Sequence, residues 1–162
     1  MMRTRLTVAL IVALASAFAV GGLALATSQM GVTPTAIASG TIDPINLNIK
    51  TGDWMTQIRT KGESTLSVVE NRVAPGGTFG WHSHPGPSLI IVKAGTITFY
   101  HADDPTCTPH EYSVGDALVD PGNQVHVGRN EGTEEVVVIV TRFSPVGAMT
   151  RIDHDAPGNC GF

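Results

Sequence analysis

Charge is scarce in this chain. Only 15% of its 162 residues are Asp, Glu, Lys or Arg, and the net charge at pH 7 is −4. Lysine and arginine form no cluster anywhere, so the positive face that neutralises phosphates is missing and nucleic acid is excluded as a partner. Cysteine is limited to two residues and aromatics to 6%. An amphipathic helix is missing as well: eighteen glycines and ten prolines cut the chain into pieces too short for long helices. What is present is 42% apolar residues in short runs between turns, the composition of one packed all-β domain.

The first residues read as an address. Arg3 and Arg5 precede residues 6–26, which carry no charge, and Ala24-Leu25-Ala26 before Thr27 offers the small-x-small pattern of a cleavage site, with Ala36-Ile37-Ala38 before Ser39 as a second. Residues 1–26 are expected to be a signal peptide. An uncleaved membrane anchor is the alternative, because 21 residues at about 1.5 Å each span a hydrocarbon core of about 30 Å. Either way the domain is expected outside the cytoplasm, secreted or membrane-anchored, and it meets a membrane only in the anchored case. Without residues 1–26 the net charge moves from −4 to −6, since two basic and no acidic residues are lost. In an oxidising compartment Cys107 and Cys160 become candidates for one disulfide that tethers the C-terminal end. Residues 27–40, rich in Ser, Thr, Ala and Gly and without period, are expected to be a flexible linker, and the folded domain is expected over residues 41–162.

Short β signals then follow one another. Ile45, Leu47 and Ile49 alternate with Asn46, Asn48 and Lys50, the period-2 pattern of a half-buried strand. Residues 54–60 and 66–73 are β-rich runs, and Pro75-Gly76-Gly77 closes the second. Residues 80–99, GWHSHPGPSLIIVKAGTITF, hold two apolar strands around Pro85-Gly86-Pro87, with Ala94-Gly95 as a further turn. Residues 114–119, 124–127 and 136–143 complete a set of about nine short strands, which predicts a sandwich, barrel or jelly roll. Leu89 to Val92 and Val136 to Val140 are apolar on both faces, so their outer face calls for a cover, supplied by a homodimer interface or by the N-terminal strands.

The chemistry lies in the histidines. His82 and His84 stand two apart in an extended segment, so both side chains point to one face, and His126 follows the Pro121-Gly122-Asn123 turn. Three imidazoles converging on a point can hold one divalent ion of Fe, Mn, Zn, Cu or Ni and leave positions open for a ligand. Ser83, His82 and Asp103 do not suggest a hydrolytic triad, because no strained nucleophile turn surrounds the serine. His101, His110 and His154 read as solvated, and Phe79, Trp81, Phe99 and Tyr100 as packing residues.

Two motifs at fixed spacing carry a resemblance to a small single-domain cupin over about residues 65–145. The first cupin motif, G-x5-H-x-H-x3-E-x6-G, is matched by Gly76, His82, His84 and Gly95, with Ser88 at the usual glutamate. The second, G-x5-P-x-G-x2-H-x3-N, is matched by Gly115, Pro121, His126 and Asn130, with Asn123 in place of its glycine. The W-H-S-H-P-G-P run and the late cysteine are similar to those of small exported cupins. The resemblance implies a cupin-type jelly-roll β-barrel holding a metal through His82, His84 and His126. Asn123 keeps the turn, because Asn tolerates left-handed backbone. Ser88 replaces a charged ligand by a neutral hydroxyl, which leaves the full charge of the ion to an anionic small molecule and makes Ser88 a candidate to orient it.

Three function classes follow: a small metal oxygenase acting on an anionic small molecule, a Lewis-acid isomerase or lyase, and a non-catalytic module that binds a small molecule or a metal. No catalytic residue is identified. Glu70 and Glu111 are the carboxylates nearest the motifs, and the pattern places neither of them inside. The lack of an internal acid or base weighs against proton-transfer chemistry.

Overall fold

A computed structural model describes residues 26–162; the expected signal segment, apart from Ala26, lies outside the described residues. Among these residues there is no helix. Twelve strands follow in order: β1 (Met30–Ile42), β2 (Asn46–Thr51), β3 (Trp54–Arg59), β4 (Ser64–Thr78), β5 (His82–Ser83), β6 (Ser88–Ala94), β7 (Thr96–His101), β8 (His110–Ser113), β9 (Ala117–Asp120), β10 (His126–Arg129), β11 (Val136–Pro145) and β12 (Ile152–Asp153). Ten of them form one antiparallel sheet in the order β12-β5-β10-β4-β11-β6-β9, with β1 added at β4 and β7 and β8 added beyond β10. The sheet curls into a jelly-roll barrel.

Period-2 alternation builds its wall. In β6, Ser88, Ile90 and Val92 are buried while Leu89, Ile91 and Lys93 are exposed. The inward residues meet those of the neighbouring strands in a core that includes Val73, Ile97, Phe99, Val136, Val138 and Val140. Each such side chain contributes about 1.5–3 kcal/mol on burial. A smaller cluster of Trp81, Tyr100 and Val127 packs at one end against Cys107 and Cys160, which form a disulfide.

Strand register sets the interior rows. Val138 of β11 faces Asn71 of β4 and Val92 of β6. Further along, Arg142 of β11 faces Ser88 of β6, and Ser88 faces Asp120 of β9. Residues directly opposite share a face of the sheet, so Arg142, Ser88 and Asp120 form one polar row beside largely apolar rows in which Asn71 is the polar member.

Three expectations are corrected. Residues 27–40 are not a flexible linker: residues 30–42 are β1, paired along β4 from Met30↔Thr78 to Ile42↔Ser64, so the barrel begins well before residue 41. Its side chains are nearly all exposed. The strand is held mainly by backbone hydrogen bonds at a sheet edge, with Val32 packed against the core, which is why its sequence shows no alternation. The Ile45–Ile49 alternation does mark a strand, yet β2 is exposed throughout. It pairs only with β3, as a hairpin separate from the barrel. The expected cover by the N-terminal strands does not reach β6, whose Leu89 and Ile91 are about half exposed because β1 lies along β4, whereas Val137 on the second face of β11 is buried as expected.

Candidate metal centre

Residues 82–84 are extended, and alternation divides them. His82 and His84 point inward, while the Ser83 hydroxyl lies 2.9 Å from Nε2 of His154 on the other side. The backbone around Trp81 is clamped from both ends of the described chain: Thr27 Oγ1 accepts from Trp81 N, and His154 N donates to Trp81 O at 2.9 Å. His154 is therefore structural and half-buried, which corrects its reading as a solvated tail residue. His126 of β10 lies directly across from His82. The turn before it is tied to the first pair, since Asn123 N donates to His84 O at 2.8 Å. Asn123 adopts φ 54°, the left-handed conformation expected of it in place of glycine.

The three rings are buried together, with centroids 4.4–5.5 Å apart. Each Nδ1 meets a backbone carbonyl: His82 that of Gly80 at 2.8 Å, His84 that of Thr150 at 2.6 Å, His126 that of Gln124 at 3.0 Å. A carbonyl only accepts, so every Nδ1 carries the proton and every Nε2 keeps its lone pair. The ligand atoms of the three residues lie within 4.8 Å of one another. Burial pushes the His82 ring down to about 2, helped by His126 and Arg151. It pushes His84 down to about 4 against its hydrogen bond to the Thr150 carbonyl, and it also lowers His126. The set is thus neutral at pH 7, as metal ligation requires.

Asp120 and Arg142, which the sequence reading passed over, complete the site. Asp120 is buried. Its Oδ1 accepts from Gly122 N at 3.0 Å, its Oδ2 has no partner, and Oδ2 lies 3.7 Å from Nε2 of His84. A carboxylate therefore does stand beside the histidines. It comes from the strand opposite Ser88, and Ser88 itself is fully buried with an unpartnered hydroxyl. The signal was available as parity, since Leu118 and Asp120 share a face of β9, as do Val140 and Arg142 in β11. Glu70 instead points outward to Lys93 and Arg72, and Glu111 is exposed. Phe79 and Phe99, read as packing residues, also line the chamber.

Residues 69–142 match the family model for the cupin domain. This stretch is a cupin domain. The three histidines lie within it, as do Ser88, Asp120 and Arg142 at its very end. A germin-like protein of Morus alba is 25% identical over 96 residues, covering 58% of this chain and 46% of that protein. The auxin-binding protein ABP19b of Prunus persica is 28% identical over 90 residues, covering 54% of this chain and 43% of its own. The cupin matches thus span less than half the length of either relative. Among solved structures, a cupin domain from Bordetella pertussis is 18% identical, with TM-score 0.48 over 71% of this chain and 95% of that one. A double-stranded β-helix protein from Klebsiella pneumoniae is 20% identical, with TM-score 0.47 over 70% and 85%.

Proposed function

We propose that this cupin holds one divalent metal ion through Nε2 of His82, His84 and His126 and acts on a small anionic molecule outside the cytoplasm. The observation that carries the reading is the shared direction of the three tautomers. Each Nδ1–H is engaged by a backbone carbonyl, which leaves three buried lone pairs converging with no protein donor to meet them. The donor set fits such an ion: neutral imidazoles suit Fe, Cu, Ni and Zn, and the Asp120 carboxylate beside them offsets part of the charge. The disulfide supports the compartment, because such bridges persist in oxidising surroundings.

A bound ion would supply Lewis-acid polarisation or, as iron or copper, redox chemistry with dioxygen. The protein's own share is positional. Phe79 and Phe99 keep the chamber dry around the histidines, their rings 6.1 Å from His82 and 5.9 Å from His126. Asp120 also revives a second reading. The sequence offered no internal acid or base, which weighed against an isomerase or lyase. A buried carboxylate with a free oxygen 3.7 Å from His84 removes that objection. The identity of the metal separates the two readings, with iron or copper favouring the oxygenase and zinc or manganese the Lewis-acid enzyme.

Elemental mass spectrometry on the purified domain tests the proposal. About one equivalent of metal is expected in the wild type and none in His84→Ala, with the barrel still folded. Full metal content in that variant, or a wild type that refuses every added divalent ion, overturns it.

A further inference from the structure

Five buried polar atoms have no partner among the described residues: Arg142 Nε, Asn71 Nδ2 and Ser88 Oγ belong to residues that line the metal chamber, Asp120 Oδ2 lies 3.7 Å from Nε2 of His84, and Asn159 Oδ1 lies apart in the C-terminal tail. A buried donor or acceptor left alone costs about 1–3 kcal/mol, and more when charged, so the first four, gathered around the histidines, mark a place where something else completes the bonding. Two are donors only, one is an acceptor only, and the serine is either. The donors belong to a guanidinium and a carboxamide, the partners of an anion.

Their placement divides inner from outer space. The chamber next to the histidines has a volume of about 30 Å³, room for about two water-sized groups. It opens into a mouth of about 390 Å³ that also borders β1. Asn71, Phe79, His82, His84 and Arg142 line both spaces, so Asn71 and Arg142 are the donors at the junction that are neither histidine nor already partnered. Asp120 lies on the far side of Ser88 from Arg142, in the row that crosses β11, β6 and β9. The other arginine at the mouth is already engaged, with Arg151 donating to Asp153 and to the Phe79 carbonyl.

We infer that the chamber selects a small carboxylate carrying a hydroxyl or similar donor beside the acid, with Arg142 and Asn71 gripping the carboxylate and Asp120 accepting from the neighbouring group. This rests on the reading of the chamber as the site of a small anion. It adds the acid group, its hydrogen-bonding neighbour and the residues that tell them apart. A ligand without an acceptor would leave the buried Arg142 Nε–H without a partner, which sets the preference. A guanidinium meets a carboxylate with two parallel bonds, which a lysine cannot copy, so Arg142→Lys separates geometry from charge. The small chamber admits the acid end only, and any larger body extends into the mouth.

The test is titration calorimetry of glycolate, acetate and ethylene glycol against the full mature protein, zinc-loaded and metal-stripped, in wild type, Arg142→Lys and Asn71→Ala. Melting curves and zinc content are recorded for each. Glycolate is expected to bind zinc-loaded wild type more tightly than acetate, and ethylene glycol not at all. Arg142→Lys should weaken glycolate at least about ten-fold and Asn71→Ala several-fold, with zinc still at one equivalent. Equal glycolate affinity in wild type and both variants, zinc retained, overturns the assignment and leaves the metal site standing. A wild type that takes no zinc but binds glycolate in an Arg142-dependent way sinks the metal site and leaves the carboxylate grip. Glycolate binding in neither form of the wild type overturns the inference.

Discussion

Replacing Cys107 and Cys160 by serine severs the covalent link between the loop after β7 and the C-terminal tail, and its cost can be worked out from the structure. The bridge closes a loop with a sequence separation of 53. The chain-entropy relation then gives about 14 cal/mol/K, or about 4 kcal/mol at 25 °C. Non-covalent contacts hold the same tail. Asn159 donates to the carbonyls of His101 and Asp104 at 3.0 and 2.6 Å, and Phe162 stacks on Trp81 under the Arg129 guanidinium. They keep the folded geometry but leave the unfolded chain unrestrained, and that is where the entropic term acts. For a domain of this size the loss corresponds to a melting temperature lower by roughly 10–15 °C. Calorimetry of the wild type with and without reductant, beside the double-serine variant and a thiol titration of each, measures it. A double-serine protein that melts within about 2 °C of the oxidised wild type refutes both the bridge as a stabiliser and the loop-entropy reasoning.

Acid should destabilise the metal-free barrel. The folded state holds His82 down to about 2 and His84 down to about 4, chiefly through burial, against an ordinary value of 6.5. Below about pH 6.5 the unfolded chain therefore binds more protons than the folded one, and stability falls as pH falls, His84 contributing its loss down to about pH 4. A melting temperature that stays flat between pH 7 and 5, above the range of ordinary carboxylates, contradicts this. The turn that carries the first two histidines depends on close backbone packing: a Cβ on Gly86 would stand 2.0 Å from the Phe143 carbonyl oxygen. Gly86→Ala is expected to cost about 3 kcal/mol, or roughly 10 °C in melting temperature, whereas Gly40→Ala, with nothing within 4 Å, should cost almost nothing. Equal melting of the two variants would show that the turn yields freely.

The histidines were legible because their geometry is local. A two-residue spacing in extended chain puts His82 and His84 on one face whatever the rest of the barrel does, and one returning strand suffices to bring His126 across. The polar row was not legible in the same way. That Arg142, Ser88 and Asp120 share a level depends on the register of three strands far apart in sequence, and register follows from the packing of whole faces. Their inward direction could still have been read: the Val136, Val138, Val140 alternation runs on to Arg142, and Leu118 sets the parity of Asp120. β1 and the β2–β3 hairpin failed for opposite reasons. An edge strand held mainly by its backbone leaves no trace in side-chain pattern, and an alternating pattern reports a strand without saying whether its apolar face is covered.

Register also explains the serine where a cupin usually has a glutamate. Ser88 sits directly between Arg142 and Asp120 on adjacent strands. A second carboxylate at residue 88 would lie opposite the first at a spacing where like charges destabilise a sheet and cannot both ionise cheaply in a buried setting. One carboxylate per row is therefore the stable arrangement, and this chain carries it on β9. The chamber then holds three neutral imidazoles, one carboxylate and one guanidinium, close to electrical balance before anything binds. A divalent ion entering that balance leaves a surplus of positive charge for its ligand to meet, and the small hydroxyl of Ser88 leaves the space in which that ligand can reach Arg142.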